Sequence, residues 1–208
     1  ISILWQSIDA SLSPWIYEKL DQGDEKRVKD ATGKIMIVFA GACLFCTLFA
    51  PEIMSVWAPE EYASGIYVIP PVTAGVFFTA MYSIYMRVEL FYKQSGFATI
   101  ATSIAALSNI ALNYIFIQLF GAVAAGYTTM TCYALLALLH YVNVKRKHYD
   151  GAFDNKLFLM ISIVIVIATA IVSMMYSWIV IRYIAILVIF AVAYIKRNNI
   201  MSVLKVKK

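Results

Sequence analysis

Between Gln94 and Val144 lie 51 consecutive residues without an Asp, Glu, Lys or Arg. A membrane helix needs about 20 predominantly apolar residues, because the hydrocarbon core is roughly 30 Å thick and a helix rises about 1.5 Å per residue. The stretch therefore holds two helices and a turn, and the turn is marked by Gly121 and Gly126 in Phe120-Gly-Ala-Val-Ala-Ala-Gly126. Composition agrees, with 62% hydrophobic and 14% charged residues, against about 45–50% and about 25% in soluble domains. A water-soluble globule and a disordered chain are both excluded. The net charge of +5 is small for a nucleic-acid partner, so its meaning must lie in where the basic residues fall.

Other uncharged stretches are Ile35–Pro51, which reaches Trp57 if Glu52 sits at the interface, and Tyr62–Met86. Leu157–Ile181 and Tyr183–Ile195, interrupted by Arg182, read as a closing hairpin that turns near Tyr176–Trp178. The fold class expected is all-α integral membrane. Six complete transmembrane helices fall at about 35–57, 66–92, 97–119, 123–143, 157–175 and 178–195. Residues 1–17 read as the end of a seventh helix, 18–34 and 144–156 as cytoplasmic loops, and 196–208 as a basic cytoplasmic tail. The sequence begins at Ile1 with no initiator Met and no signal-peptide pattern, so a piece of a longer protein is expected.

If the spans alternate, the loops 18–34, 87–96, 144–156 and 196–208 share one side, and they carry 16 of the 17 Lys and Arg residues. The opposite loops hold Glu52, Glu60 and Glu61, with Arg182 their one basic residue. The positive-inside rule makes the basic side cytoplasmic. Trp57, Tyr62, Tyr67, Tyr176 and Trp178 fall at outer ends, and Tyr17, Tyr92, Tyr141 and Tyr194 at inner ends, where amphipathic rings suit the headgroup layer.

Catalytic constellations are sparse. Cys43 and Cys46 form a Cys-x-x-Cys inside an apolar span, where a reactive thiolate is disfavoured, so packing is the better reading. His140 and His148 flank the basic run 145–147 and read as interfacial. No nucleophile elbow, Walker loop or dinucleotide fingerprint is present in the sequence. No catalytic residue, metal ligand or cofactor is assigned, and the protein is not expected to be an enzyme.

Intramembrane polar residues are more informative, since a charge near the bilayer centre is costly and tends to face a bundle interior or a wet cavity. Asp9 precedes Tyr17 by eight residues, roughly 12 Å along a helix. Arg87 and Glu89 stand in the inner turns of the second span, where snorkelling to the interface is the alternative to a cavity role. Ala98, Thr102, Ala105, Asn109 and Asn113 share one helix face, suited to close packing with interhelical hydrogen bonds or to lining a polar cavity. Pro51 and Pro70-Pro71 predict kinks or fresh helix starts, and a first-turn Pro70 would begin the second span at about residue 70. Gly23-Asp24 predicts a turn with an N-cap, followed by a short solvated helix.

Three stretches carry a family resemblance. They are Leu12-Ser13-Pro14 followed by the loop with Gly23-Asp24 and a basic run; Phe49-Ala50-Pro51-Glu52-Ile53 with Trp57 and Tyr62-Ala63; and Asn109-Ile-Ala-Leu-Asn113 followed by Phe120-Gly-Ala-Val-Ala-Ala-Gly126. In this order and spacing the chain resembles the C-terminal half of Wzx-type O-antigen flippases, of the multidrug/oligosaccharidyl-lipid/polysaccharide (MOP) exporter superfamily. Ala124 departs from that pattern, where a Gly is common.

The resemblance implies the C-terminal lobe of a two-lobe, MATE/MOP-like transporter. That protein would move an undecaprenyl-diphosphate-linked oligosaccharide from the cytoplasmic to the periplasmic leaflet of the bacterial inner membrane by alternating access. The partners implied are the lipid-linked oligosaccharide, the N-terminal lobe of the same protein, membrane lipid, H+ or Na+ as coupling ion, and polysaccharide polymerase or chain-length proteins. The candidate substrate or cavity residues are Asp9, Arg87, Glu89, Asn109 and Asn113. Arg87 is the cation suited to a diphosphate, through charge-assisted hydrogen bonds. The competing readings are another MOP exporter, with a drug or other lipid-linked substrate, and an integral-membrane glycosyltransferase, polymerase or acyltransferase. Such enzymes generally need a large loop or a His/Asp/Arg cluster.

Overall fold

The computed structural model describes residues 1–195, with the backbone alone for 60, 62–64, 192 and 193. The basic tail expected at 196–208 lies outside the described residues. The chain is all-helical over the described residues: α1 (Ser2–Asp21), α2 (Glu25–Leu48), α3 (Ala50–Trp57), α4 (Ile69–Phe91), α5 (Ser95–Phe120), α6 (Ala124–Arg146), α7 (Asn155–Met175) and α8 (Ile179–Ile195). Short 3-10 turns occupy Glu60–Val68 and Asp150–Ala152.

Helix boundaries follow local chemistry. Gly23 has φ +70°, and Asp24 then caps α2 by accepting the Arg27 amide at 3.2 Å. The segment 18–34 differs from the expected loop. α1 continues to Asp21, and the helix that starts at Glu25 runs without a break to Leu48. The turn and N-cap expected at Gly23-Asp24 are present, and the helix expected after them is continuous with the span, because its Glu, Lys, Arg and Ala residues are strong helix formers. Pro51 stands in the first turn of α3, where its missing amide costs no internal hydrogen bond, and the chain restarts there after a break at Phe49. Pro70 and Pro71 likewise open α4, which selects the later of the two starts considered for that span.

Four helical segments are long and apolar enough to cross a membrane: Glu25–Leu48, Gly65–Phe91, Ser95–Phe120 and Asn155–Met175. α6 has the length, but Thr128, Thr129, Thr131, His140 and Asn143 dilute its apolar character. α8 is shorter, at 17 residues.

α4 is the hub of the bundle and packs on α1, α2, α6 and α7. Phe77, Ile84, Tyr85 and Val88 on it are fully buried, against Ile16, Met36, Phe39 and Phe158 from its neighbours. Tyr85 packs edge-on to Phe153 at 4.7 Å, and its hydroxyl donates to Asn155 Oδ1 at 2.9 Å. α5 lies on α6 through Ala101 and Ala105, which meet Leu136 and are small enough to let two backbones approach. Its other face is open, with Leu107 68% and Ile110 67% exposed, as suits a helix that faces lipid.

The turns at 22–24, 92–94 and 147–154 gather at one end, where Tyr92 stacks on Tyr149 at 3.9 Å and α2 packs on Asp150–Ala152. Every described Lys and Arg except Arg182 lies in the half of the bundle toward that end. Tyr67 meets Tyr176 at the other end, at 5.9 Å. Gly126 also approaches Val68 and Pro71 there so closely that a Cβ would come within 3.0 Å of Pro71 Cγ.

Candidate functional site

Among the described residues, four groups of polar side chains stand out inside the bundle, and α4 carries members of two of them. Arg87 and Glu89 are two residues apart, so they leave a helix about 200° apart in direction. Arg87 turns to α1, where its Nη2 and Nε engage both carboxylate oxygens of Asp9, the Nε contact at 3.3 Å. Ser13 Oγ donates to the Asp9 carbonyl at 2.7 Å, and one step away Trp5 Nε1 donates to Ser83 Oγ at 3.0 Å. The pair is part-buried, with side-chain exposures of 15% for Asp9 and 25% for Arg87. Sequence reasoning named both residues without joining them. Arg87 does not snorkel alone; its charge is matched by the carboxylate it faces.

Glu89 turns to α6 and is fully buried. Its Oε2 lies 2.5 Å from His140 Nδ1, and its Oε1 accepts from Asn143 Nδ2 at 2.8 Å. The interfacial reading of His140 is corrected by this geometry: α6 runs on to Arg146, and the ring is fully buried between Tyr82 and Phe97. His148 is exposed in the turn after α6, at φ 60°.

The third group joins α5 to α6. Asn113 Nδ2 donates to Asn109 Oδ1 at 3.0 Å, Thr128 Oγ1 donates to Asn113 Oδ1, and Asn109 Nδ2 reaches Thr129 Oγ1 at 3.5 Å. Interhelical hydrogen bonding, one of the two roles considered for the stripe, is what Asn113 performs. Asn109 also lines a cleft of about 340 Å³ with Thr102, Tyr82, Thr129 and Tyr133.

The fourth group was missed. Arg182 of α8 is 3% exposed and pairs through Nη2 with Glu52 Oε1 of α3, which also accepts from Tyr183 Oη at 2.6 Å. Tyr176 lies under the guanidinium at 6.0 Å and donates to the Thr47 carbonyl at 2.6 Å. The one signal in the sequence was that Arg182 is a lone cation on a side otherwise acidic.

Cys43 is buried and Cys46 half-buried, both as free thiols on α2. Among the described residues, no three His, Cys, Asp or Glu side chains come together in a group that could hold a metal ion. Chemically, the arrangement pairs opposite charges across helix interfaces at Asp9–Arg87 and Glu52–Arg182, and sets a carboxylate against an imidazole at Glu89–His140. Removing one partner of such a buried pair costs about 3–5 kcal/mol, because the other charge is left uncompensated. The pairs therefore favour particular helix contacts. Comparisons with protein-family models, with curated proteins and with solved structures find no match.

Proposed function

We propose that this chain forms the C-terminal lobe and closing hairpin of a MOP-superfamily flippase. In this reading it translocates an undecaprenyl-diphosphate-linked oligosaccharide by alternating access, without covalent catalysis. The six helices α2 and α4–α8 cross the inner membrane, with α3 as the outer end of the first span and the basic end in the cytoplasm. An N-terminal lobe of the same protein closes the path.

One observation carries the reading beyond the family resemblance, namely the Asp9–Arg87 pair. It is a cation on the hub helix, part-exposed and toward the basic end, held by a carboxylate from a neighbouring helix. A diphosphate offers more acceptor oxygens and more negative charge than Asp9, in the same bidentate geometry. Exchange of the carboxylate for the diphosphate would free α1 from α4, which links substrate capture to helix movement. The small residues and paired Asn of α5 and α6 support a rigid body that moves as a unit.

Arg87→Ala in the full-length protein should sharply reduce surface polysaccharide at equal protein level, and Arg87→Lys should restore only part of it, since Lys lacks the fork. Unchanged surface polysaccharide in Arg87→Ala would sink the proposal.

A further inference from the structure

Among the described residues, four buried side-chain atoms lack a hydrogen-bond partner: Glu52 Oε2, Arg182 Nε and Arg182 Nη1, all within one ion pair, and His140 Nε2 against the hub helix. His140 Nε2 is buried and has no hydrogen-bond partner, although His140 Nδ1 and both Glu89 oxygens are engaged. A buried nitrogen without a partner is unfavourable in either form, as a bare lone pair or as an unused N–H. Its surroundings tell which form is favoured. The Tyr82 ring stacks on the imidazole at 5.8 Å and 17°, and Phe97 meets it edge-on at 5.7 Å. The face of an aromatic ring attracts a cation, and Tyr82 presents its face to the imidazole.

The charge balance points the same way. With one proton between Glu89 Oε2 and His140 Nδ1, the pair carries a net charge of about −1, matched only by the Asn143 amide. A second proton on Nε2 makes the imidazole a cation and the pair neutral. The other charged and titratable groups nearby do not supply that balance. On α4 itself, Arg87 is engaged by Asp9 of α1; Tyr82 on α4 and Tyr133 on α6 are phenols; and Phe97 of α5 is uncharged. Among the described residues, no Lys or Arg pairs with Glu89. A metal ion would need about four or more donors, whereas here the single open atom is one nitrogen.

We propose that Glu89, His140 and Asn143 form a proton-binding site between α4 and α6. The bound proton adds to His140 Nε2, forming an N–H bond and leaving the Nδ1–Glu89 contact in place. Release returns that proton to water with no other bond broken. The way in is given by the stack of rings. Tyr133 and His140 are seven residues apart on α6, about 10 Å along its axis. Tyr82 stacks on both, at 6.3 Å and 5.8 Å, and so stands between them. Tyr82 and Tyr133 also line the cleft of about 340 Å³, so rotation of one phenol ring opens the site to that cleft. The site does not rest on the transport reading: it stands or falls on His140 even if the Arg87 test fails.

The test is nitrogen-15 NMR of the full-length protein in liposomes. His148→Asn removes the other histidine of this chain at an exposed position whose positive φ suits Asn, and any histidine elsewhere is assigned by its own substitution. From about pH 9 down to about pH 5, a span that includes the pH 5–8 range in which histidines ordinarily change charge, His140 should pass reversibly from one N–H to two. Glu89→Gln should leave it with one N–H under conditions where the parent carries two. A constant proton count on His140 over the whole range overturns the proposal, as does a Glu89→Gln titration identical to the parent's. Should Glu89→Gln fail to fold, Glu89→Asp serves in its place, with a displaced midpoint expected and an unchanged one overturning the proposal.

Discussion

Replacement of Glu89 by Leu tests how much the buried pair holds α4 to α6. The substitution puts an apolar side chain of similar size in place of the carboxylate, so a cavity is a minor part of its effect. What it removes is the partner at 2.5 Å from His140 Nδ1 and the acceptor at 2.8 Å from Asn143 Nδ2. Each polar group stranded in the interior costs about 1–3 kcal/mol, and loss of one partner of a buried ion pair costs about 3–5 kcal/mol. The membrane setting lowers these figures, because helices separated within a bilayer still find other polar partners, and neutral interhelical bonds average only about 0.6 kcal/mol there. Full burial on both sides, 0% exposure for each side chain, argues for the upper range. We expect a loss of about 3 kcal/mol for Glu89→Leu and a similar loss for His140→Leu. The double variant should lose less than the two singles together, because neither the imidazole nor the carboxylate is then left without its partner. The assay is a double-mutant cycle on reversible unfolding in detergent or bicelles, with a coupling of about 2–4 kcal/mol expected. Additive losses, or a coupling no greater than about 0.6 kcal/mol, would refute the reasoning.

Other substitutions probe the packing and the turns. Gly126→Ala should destabilise by about 1–3 kcal/mol in the same unfolding assay, because the new Cβ would meet Pro71 Cγ at 3.0 Å and the Val68 carbonyl at 3.3 Å. Gly121→Ala meets no neighbour but must adopt φ +75° and ψ −172°, and a loss of about 1–3 kcal/mol from strain alone is expected there. Arg182→Leu should loosen α8 from α3, read as faster amide hydrogen exchange in both helices with little change in α4. Tyr176→Phe should cost about 1 kcal/mol through loss of its 2.6 Å bond to the Thr47 carbonyl.

Much of the fold was legible because bilayer physics is written locally. The uncharged run from Gln94 to Val144, the Gly121 turn, the fresh start at Pro51 and the hairpin turn at Tyr176–Trp178 each depend on neighbours within a few residues. The polar pairs were not legible, since they depend on distant residues. Asp9 and Arg87 are 78 positions apart, Glu89 and His140 51, and Glu52 and Arg182 130. Arg87 and Glu89 were read together, as cavity residues or snorkelling ones, because they are close in sequence, yet the helix sends them to opposite neighbours. His140 was misplaced for a related reason. Nearness to the basic run 145–147 suggested an interface, but six further residues of α6 raise it about 9 Å into the bundle. The Asn109–Asn113 stripe was readable as a face because its spacing is helical, and only the structure supplied Thr128 and Thr129 as its partners.

The central claim is that Arg87 helps to carry a diphosphate-linked glycan across the membrane. Its most direct test is the leaflet distribution of lipid-linked oligosaccharide in cells that lack the protein, complemented with the parent or with Arg87→Ala at matched levels. The account predicts accumulation on the cytoplasmic face without the protein, clearance by the parent and little clearance by Arg87→Ala. An unchanged distribution in cells lacking the protein would contradict it.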